Sequence, residues 1–434
     1  MIVYKIILCN QSMLYNLLLL FCLYLPFQLA LNVFEGVDLA SGRVFVLILG
    51  ILWLFKSLAQ KRLFIPNKIQ TLLLFSFLFL SAFSLVFSQN TDWAYRKLLF
   101  LLSFVPLYFI VFNVASNQKY SKKIIEFLTY GAGLISLVGL AQFSLQFFIG
   151  IDETLRLWQT VISPFLGNSF SKAVFEYQSW LVGISGNTYM RSIAFFPDPH
   201  MFSFFLGMIL PWNITLIFKS EDTFKKYIFF ITSVLIFSVD ILTFSRGGYL
   251  GMFAGLIFTF FIFRKSLIQK FSLKKIAAFS IFSLIILGAI FIPNPISQRL
   301  GSSFSLDEGS NEGRLKNWNE SLNIIGNNPL GVGIGNYSLE VKPDTEYREP
   351  IYAHNLYFDI AAETGIINAL FFIWLLIASI LNFIKLGKSD NFYLAGSISL
   401  VIFSVHSIFE TPLYSIHILP LLLITFSLSV LKDA

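Results

Sequence analysis

Long apolar runs recur along almost the whole chain, and they constrain its fold more than any other feature. All but the short run at 43–56 are long enough for an α-helix to cross a bilayer, which takes roughly 20 residues. In lipid, a helix satisfies its own backbone hydrogen bonds within such a run. The runs lie at 13–33, 43–56, 69–88, 97–115, 124–150, 199–218, 227–244, 247–263, 275–292, 357–384, 391–409 and 414–431. The pattern predicts an all-α integral membrane protein of about twelve transmembrane helices, forming one polytopic domain over residues 1–434.

The composition agrees with this interpretation, because 56% of the residues are hydrophobic and only 13% are charged. A soluble domain of this size needs more charge to cover its surface. The first run, 13–33, is too long for a signal-peptide core and lacks a clear cleavage site, so we expect a retained helix. Cys9 and Cys22 cannot form a disulfide framework, and no Cys or His cluster has zinc-site spacing.

The basic residues predict the orientation of the helices. With the N-terminus inside, 19 of the 31 Lys and Arg residues fall in short cytoplasmic turns, for example at 119–123, 219–226 and 264–275. Such a bias marks the cytoplasmic side, so both termini are expected there. The same bias accounts for the net charge of +7, so no nucleic-acid partner is expected. The basic residues in the cytoplasmic turns are instead expected to contact anionic membrane lipids.

Arginine is enriched on the predicted outer side. The cytoplasmic set has two Arg and 17 Lys, whereas the outer set has eight Arg and four Lys. The guanidinium group is a planar fork of donors that suits phosphate or carboxylate, and it keeps its charge when desolvated. We expect an anion site at the outer face, with chance and structural salt bridges as the alternative explanation.

Two longer polar segments interrupt the apolar pattern on that side. The first outer loop covers 151–198 and includes an amphipathic piece, 152–167, that could lie in the membrane interface. The large outer loop covers 293–356, between predicted helices nine and ten. It carries eight acidic residues before His354, and it is expected to act as a lid over an anion beneath it.

Two short motifs place Arg at the outer ends of helices. Arg191 precedes a Phe-Phe-Pro-Asp-Pro-His sequence that contains Asp198 and leads into the sixth predicted helix. The prolines make a rigid non-helical turn, so this Arg either faces a lipid phosphate or simply lies near a helix cap. Arg246 lies in Thr-Phe-Ser-Arg-Gly-Gly, where the glycines are expected to expose backbone to an anion. Asp240 lies about two helical turns from Arg246, and a carboxylate inside the membrane needs a partner. The alternative to anion binding is therefore a structural ion pair between Asp240 and Arg246.

Three further motifs follow. Arg314 and Trp318 begin a predicted short helix, which ends near Gly326 and leads into a glycine loop at 331–335. No strand precedes these glycines and no Walker lysine follows, so a nucleotide site is not expected. His354 leads into helix ten and could act as a general base oriented by Glu363 or Asp359, or could merely cap that helix.

His406 and Glu410 are four residues apart, on one face of predicted helix eleven. They could take part in chemistry, or brace helices eleven and twelve. The sequence contains no Asp-x-Asp, His-Glu-x-x-His or Gly-x-Ser-x-Gly motif, which argues against a metal-dependent enzyme.

Together these motifs resemble the O-antigen ligase and O-antigen polymerase superfamily of bacterial envelope proteins. The resemblance rests on four segments in order, 191–199, 243–248, 313–336 and 354–365. The family's first motif usually ends in Pro-Asn where this chain has His200, and Asn368 replaces a small residue or Tyr typical of ligases. The choice between ligase and polymerase therefore stays open.

The resemblance implies a metal-independent, inverting glycosyltransferase without a cofactor, in the bacterial cytoplasmic (inner) membrane, with its site on the periplasmic face. The donor would be a glycan on undecaprenyl diphosphate, and the acceptor lipid A-core or another lipid-linked glycan. Arg191, Arg246 and Arg314 would bind the diphosphate, and His354 would activate the acceptor hydroxyl. The supporting residues would be Asp198, Asp240, Glu363, His406 and Glu410.

A transporter of lipid-linked sugars is the alternative from another class. It would share the helices and the Arg-rich outer side, but it predicts inverted repeats and helices broken near the membrane centre. The sequence shows no convincing repeat, and its polar residues cluster at the outer ends of the helices. These features favour an enzyme that acts at the outer surface.

Overall fold

A computed structural model describes residues 2–34, 37–61, 63, 65–115, 118–184, 186–270 and 309–431. The described part of the chain is mostly helical, 76% of it, with little sheet. Seven helical segments of the described part are long and apolar enough to cross a membrane, which supports an all-α membrane protein. The predicted span at 275–292 and the first part of the large outer loop lie outside the described residues.

The described residues of the first half form eight α-helices and two short hairpins. The helices are α1 (Ile2–Tyr24), α2 (Ser41–Ala59), α3 (Ile69–Phe83), α4 (Thr91–Phe104), α5 (Pro106–Val114), α6 (Gln118–Ile149), α7 (Ile151–Leu166) and α8 (Asn168–Glu176). The antiparallel hairpins are β1 (Ala30–Phe34) with β2 (Val37–Ala40), and β3 (Leu181–Ile184) with β4 (Asn187–Met190). The first outer loop therefore has secondary structure of its own, and its amphipathic piece is α7.

The second half contains nine described helices. They are α9 (Pro199–Lys219), α10 (Thr223–Leu242), α11 (Arg246–Lys270), α12 (Gly309–Asn327), α13 (Tyr337–Val341), α14 (Leu356–Thr364), α15 (Ile366–Leu386), α16 (Leu394–His406) and α17 (Ile418–Ser429). Within the described part of the large outer loop, α12 and α13 are the helical elements. Asp198, Asp222 and Asn355 begin α9, α10 and α14, because their side chains accept backbone N–H groups of the first turn.

Helices α9 and α17 lie at the centre of the bundle. Nearly every residue of α9 from Pro199 to Asn213 is buried, and every residue of α17 is buried. A helix that is apolar on all sides belongs inside a bundle, whereas one with an exposed apolar face suits the lipid boundary. Helix α9 packs against α6, α10 and α16, and α11 packs against α16. The N-terminus of α9 is thereby held near the α10–α11 turn and the end of α16.

Two predicted spans end differently in the structure. The span predicted at 13–33 stops being α-helical after Tyr24, and a 3-10 helix (Leu25–Phe27) leads towards β1. The span predicted at 357–384 is divided at Gly365, whose φ of +94° ends α14 before α15 begins. A Cβ at Gly365 would come within 3.1 Å of the backbone of Pro329 and Leu330, so the break also admits the glycine loop.

Candidate functional site

His354 and Glu410 form a direct contact. The Nδ1 atom of His354 lies 3.1 Å from both carboxylate oxygens of Glu410. The carboxylate is almost entirely buried, whereas the imidazole keeps 30% of its side-chain surface exposed. A carboxylate beside Nδ1 keeps a proton on that nitrogen and leaves Nε2 available to accept one. The pair has the arrangement of an oriented general base.

The backbone holds His354 in a constrained turn. Its φ is +51°, which non-glycine residues rarely adopt. Asp359 fixes this turn by accepting the N–H of Ala353 at 2.8 Å. The N–H of Leu356 donates to the carbonyl of Ser407 at 2.9 Å, which fastens the turn to the segment that carries Glu410. Asp359 therefore supports the backbone of His354 rather than its ring.

The prediction that Glu363 or Asp359 orients the His354 ring is wrong. Glu363 is buried and instead accepts two hydrogen bonds from Lys97 Nζ, both of 2.7 Å. The prediction that His406 and Glu410 share a helical face is also wrong, because α16 ends at His406. Glu410 lies in the following turn, and this places its carboxylate beside His354.

Two other charged or titratable groups lie beside Glu410, in addition to His354. Arg314 Nη2 and His200 Nε2 each lie 3.8 Å from Glu410 Oε1. Arg314 comes from α12, which also packs Trp318 against Phe358 and Phe409 through ring contacts. The four-residue spacing of Arg314 and Trp318 puts both on one face of α12. Trp318 thus packs the helix in place, and Arg314 on the same face lies beside the Glu410 carboxylate, which explains the spacing of the motif.

The pKa values near this carboxylate follow from burial and charge. Burial would lower the pKa of His354, but the Glu410 carboxylate outweighs it and raises the pKa above its ordinary value. Burial would raise the pKa of Glu410, but His354 and then Arg314 and Arg191 lower it. Burial and the Glu410 charge raise the pKa of Asp198 to about 6. His354 and Glu410 therefore each favour the charged form of the other, against the effect of burial.

Arg191 connects the first outer loop to the turn that carries Arg246. Its Nε donates to the carbonyl of Thr243 at 2.7 Å, and its Nη1 donates to the carbonyl of Ser179 at 3.1 Å. Two glutamines of α6, Gln142 and Gln146, bind the backbone on either side of Arg191. Arg191 and Arg246 are both only 4% exposed. The structure thus brings two distant Arg motifs to one end of the bundle.

The glycines after Arg246 serve packing, contrary to the prediction that they expose backbone. Gly247 and Gly248 are buried in the first turn of α11. A Cβ at Gly248 would overlap Ser203 Oγ, and one at Gly247 would lie 2.7 Å from His406 Cδ2. The turn itself depends on Phe244, whose φ is +49°. These glycines let α11 approach α9 and the end of α16.

Asp240 does not pair with Arg246. It is 1% exposed, and among the described residues neither carboxylate oxygen has a hydrogen-bond partner of good geometry. His406 is fully buried, stacks on Phe204 with 3.5 Å between ring centroids, and contacts Ser245. No group of three or more His, Cys, Asp or Glu in the described ranges could hold a metal ion.

Sequence reasoning did not assign His200 and Ser245 to the site. His200 Nδ1 lies 2.9 Å from Ser245 Oγ, so the end of the first Arg motif contacts the second. Tyr352 also lies here, with its ring centroid 4.3 Å from that of His354. The departure of His200 from the usual Asn was a signal in the sequence, whereas nothing in the spacing pointed to Ser245 or Tyr352.

Comparison with known families bears on this end of the bundle. Residues 231–373 match the family model described as O-antigen ligase, about a third of the chain. The match confirms the resemblance to the O-antigen ligase superfamily, and its range includes Arg246, Arg314 and His354. No curated protein matches the chain. The family and the apolar helices support a bacterial membrane protein of polysaccharide biosynthesis, with ligase- or polymerase-like glycosyl transfer.

Proposed function

We propose that this protein transfers a glycan from undecaprenyl diphosphate to an acceptor hydroxyl at the outer face of the bacterial cytoplasmic membrane, with both termini in the cytoplasm. The family match supports glycosyl transfer from a lipid-linked donor in general. The observation that carries the specific proposal is the His354–Glu410 contact at 3.1 Å, with Arg314 beside the same carboxylate. It combines a base and a cation at one place.

His354 is the proposed general base. Glu410 holds Nδ1, so Nε2 takes the proton as the acceptor O–H bond breaks. The acceptor oxygen forms a bond to the anomeric carbon, while the bond from that carbon to the diphosphate oxygen breaks. A single displacement of this kind inverts the anomeric centre. Glu410 then stabilises the imidazolium that has formed, as the raised pKa of His354 requires.

The diphosphate is proposed to bind Arg191, Arg246 and Arg314. Negative charge develops on the leaving group as the glycosidic bond breaks, and fixed guanidinium groups stabilise that charge without reorganising. Arg191 is held by two carbonyl groups and Arg246 begins a helix, so both guanidinium groups come from rigid elements. Supporting roles fall to Asp198, which caps α9, and to His406, which contacts Ser245, while Asp240 and Glu363 are proposed to support the surrounding structure as buried carboxylates.

Product analysis tests this proposal. Purified protein in liposomes would receive an undecaprenyl-diphosphate glycan with either lipid A-core or a second lipid-linked glycan as acceptor. Transfer to lipid A-core means a ligase, and lengthened lipid-linked chains mean a polymerase. We expect one of these products together with undecaprenyl diphosphate. An intact donor that merely changes membrane leaflet would instead identify a transporter and refute the proposal.

A further inference from the structure

A second imidazole lies beside the carboxylate that orients His354. His200 Nε2 is 3.8 Å from Glu410 Oε1, and its side chain is only 15% exposed. Its backbone N–H donates to Asp198 at 2.8 Å, which anchors the residue in the first turn of α9. The ring therefore lies between Glu410 on one side and Ser245, at 2.9 Å, on the other.

The contacts continue from Ser245 into the bundle. Ser245 Oγ lies 3.2 Å from His406 Nε2, and both residues are completely buried. The N–H of Gly248 also donates to Ser245 Oγ, at 3.3 Å. His406 cannot easily turn, because its ring stacks on Phe204 at an interplanar angle of 5°. A chain of polar contacts thus runs from His406 through Ser245 and His200 to Glu410.

The available protons set the direction of this chain. A serine hydroxyl donates one hydrogen bond, so Ser245 can serve either His200 or His406. If it served His406, Nδ1 of His200 would carry the proton and a bare Nε2 would face the carboxylate oxygen. Lone pairs would then oppose each other in a buried setting. The favourable order has His406 donating to Ser245, Ser245 donating to His200 Nδ1, and His200 directing its Nε2–H at Glu410.

We propose that His200 is a positioning residue for the transfer reaction, which aims an N–H at Glu410 and so fixes the carboxylate that orients His354. This inference rests on the proposed function. Ser245 fixes the tautomer of His200 by donating to its Nδ1, and His406 fixes the direction of the Ser245 hydroxyl by donating to its oxygen. The chain joins α9, the α10–α11 turn and α16, so it also fixes the base relative to the turn that carries Arg246.

Other charged groups also affect the pKa of the same carboxylate. Besides His354, the charges of Arg314 and Arg191 act on Glu410. The charge of Glu410 in turn raises the pKa of Asp198 and of Tyr352. The charge of Arg314 also lowers the pKa of His354, and that of Asp359 raises it. Substitution of His200 leaves all of these in place, so a change in the pH profile reports the lost N–H.

The test compares two amides at position 200. The amide nitrogen of His200→Gln reaches about as far as Nε2, whereas that of His200→Asn reaches only about as far as Nδ1. We expect His200→Asn to lower kcat roughly tenfold, less than the 10²- to 10⁴-fold loss typical of removing a general base. The KM for the lipid-linked donor should not change. His200→Gln should restore most of the rate.

The pH profile separates positioning from packing. A carboxylate that loses the nearby N–H dipole, 3.8 Å away, interacts more strongly with His354. The acid limb of kcat should therefore move to higher pH in His200→Asn and return in His200→Gln. Ser245→Ala should move it in the same direction, and Ser245→Thr should not. Equal losses in both amide variants without a shift of the limb, or wild-type behaviour of His200→Asn, would overturn the proposal.

A parallel measurement on His354→Ala keeps the two proposals distinct. If His354→Ala is inactive while His200→Asn behaves as wild type, only the role of His200 fails. If His354→Ala transfers glycan as fast as wild type, the proposed function itself fails. Thermal unfolding in detergent shows whether each variant is folded, so a loss of rate in a folded protein is attributable to the site.

Discussion

His354 Nδ1 lies 3.1 Å from both carboxylate oxygens of Glu410, across 56 residues of sequence. Equal distances mean that the carboxylate faces the imidazole evenly, as an orienting partner does. Arg314 lies 3.8 Å from one of the same oxygens, which places a cation next to the pair. The reaction rate should therefore titrate with His354 and depend on Glu410.

The pH dependence of transfer should change when Glu410 is replaced by Gln. Glu410 raises the pKa of His354 above its ordinary 6.5, so in the wild type the neutral base accumulates only as pH rises through that raised value. Glu410→Gln removes the charge, the pKa falls, and the acid limb of the kcat profile moves to lower pH. The maximal rate falls as well, because the imidazolium loses its counter-charge. Initial rates over a range of pH check this.

Glu363→Gln is the matched control for that experiment. Glu363 is an equally buried carboxylate, but its partner is Lys97 rather than His354. We expect lower thermal stability, because Lys97 loses its counter-charge, and an unchanged acid limb. A shift of the limb in Glu363→Gln, or none in Glu410→Gln, would contradict the assignment of Glu410.

Removal of the proposed diphosphate cations should slow the reaction. For Arg246→Ala we expect a loss of about 10²- to 10³-fold, as for the loss of one donor to a developing charge. Arg246→Lys should recover only part of it, because Lys keeps the charge without the planar fork. Arg156→Ala is the control, since Arg156 is 75% exposed and pairs with Glu153. Equal rates for Arg246→Ala and Arg156→Ala would exclude Arg246 from the site.

Asp38 should fasten the large outer loop to the first. Its carboxylate accepts Arg348 Nη1 at 2.9 Å and the N–H of Phe170 at 2.7 Å. We expect Asp38→Ala and Arg348→Ala each to speed proteolysis between 342 and 353. The double variant should be little worse than either, with a coupling of about 0.5–3 kcal/mol for a direct contact. Additive effects in this cycle would show that the contact does not hold the loop.

Gly248→Ala should destabilise the protein through a steric clash. A methyl group at this position overlaps Ser203 Oγ, which lies in the buried helix α9. Overpacking in a tight core typically costs about 1–3 kcal/mol. The additional change Ser203→Gly should relieve the clash and recover part of the thermal stability. If Gly248→Ala unfolds at the wild-type temperature, close packing does not explain this glycine.

The apolar pattern predicted most helices, because a bilayer allows few other structures for such runs. The breaks after Tyr24 and at Gly365 were missed for a physical reason. Both lie within apolar sequence, and hydropathy does not register a turn that packs against other segments. The φ of +94° at Gly365 depends on the glycine loop that contacts it, which is a tertiary feature.

Some residues of the candidate site could be named from the sequence, but their contacts could not. Arg191, Arg246 and Arg314 stand out because topology does not require Arg on the outer side, and His354 because a His can serve as a general base near neutral pH. Their arrangement is not encoded in spacing. The Arg191–Thr243 and His354–Glu410 contacts join segments that are remote in sequence, and Glu410 follows α16 only because that helix ends at His406.

The release of undecaprenyl diphosphate from a defined lipid-linked glycan tests the central claim most directly. Wild-type protein in liposomes should release one undecaprenyl diphosphate for each glycan found on the acceptor. Folded His354→Ala should lose about 10²- to 10⁴-fold of this rate, the usual contribution of a positioned base. A donor left intact by wild-type protein, or release that is equally fast with His354→Ala, would contradict the account.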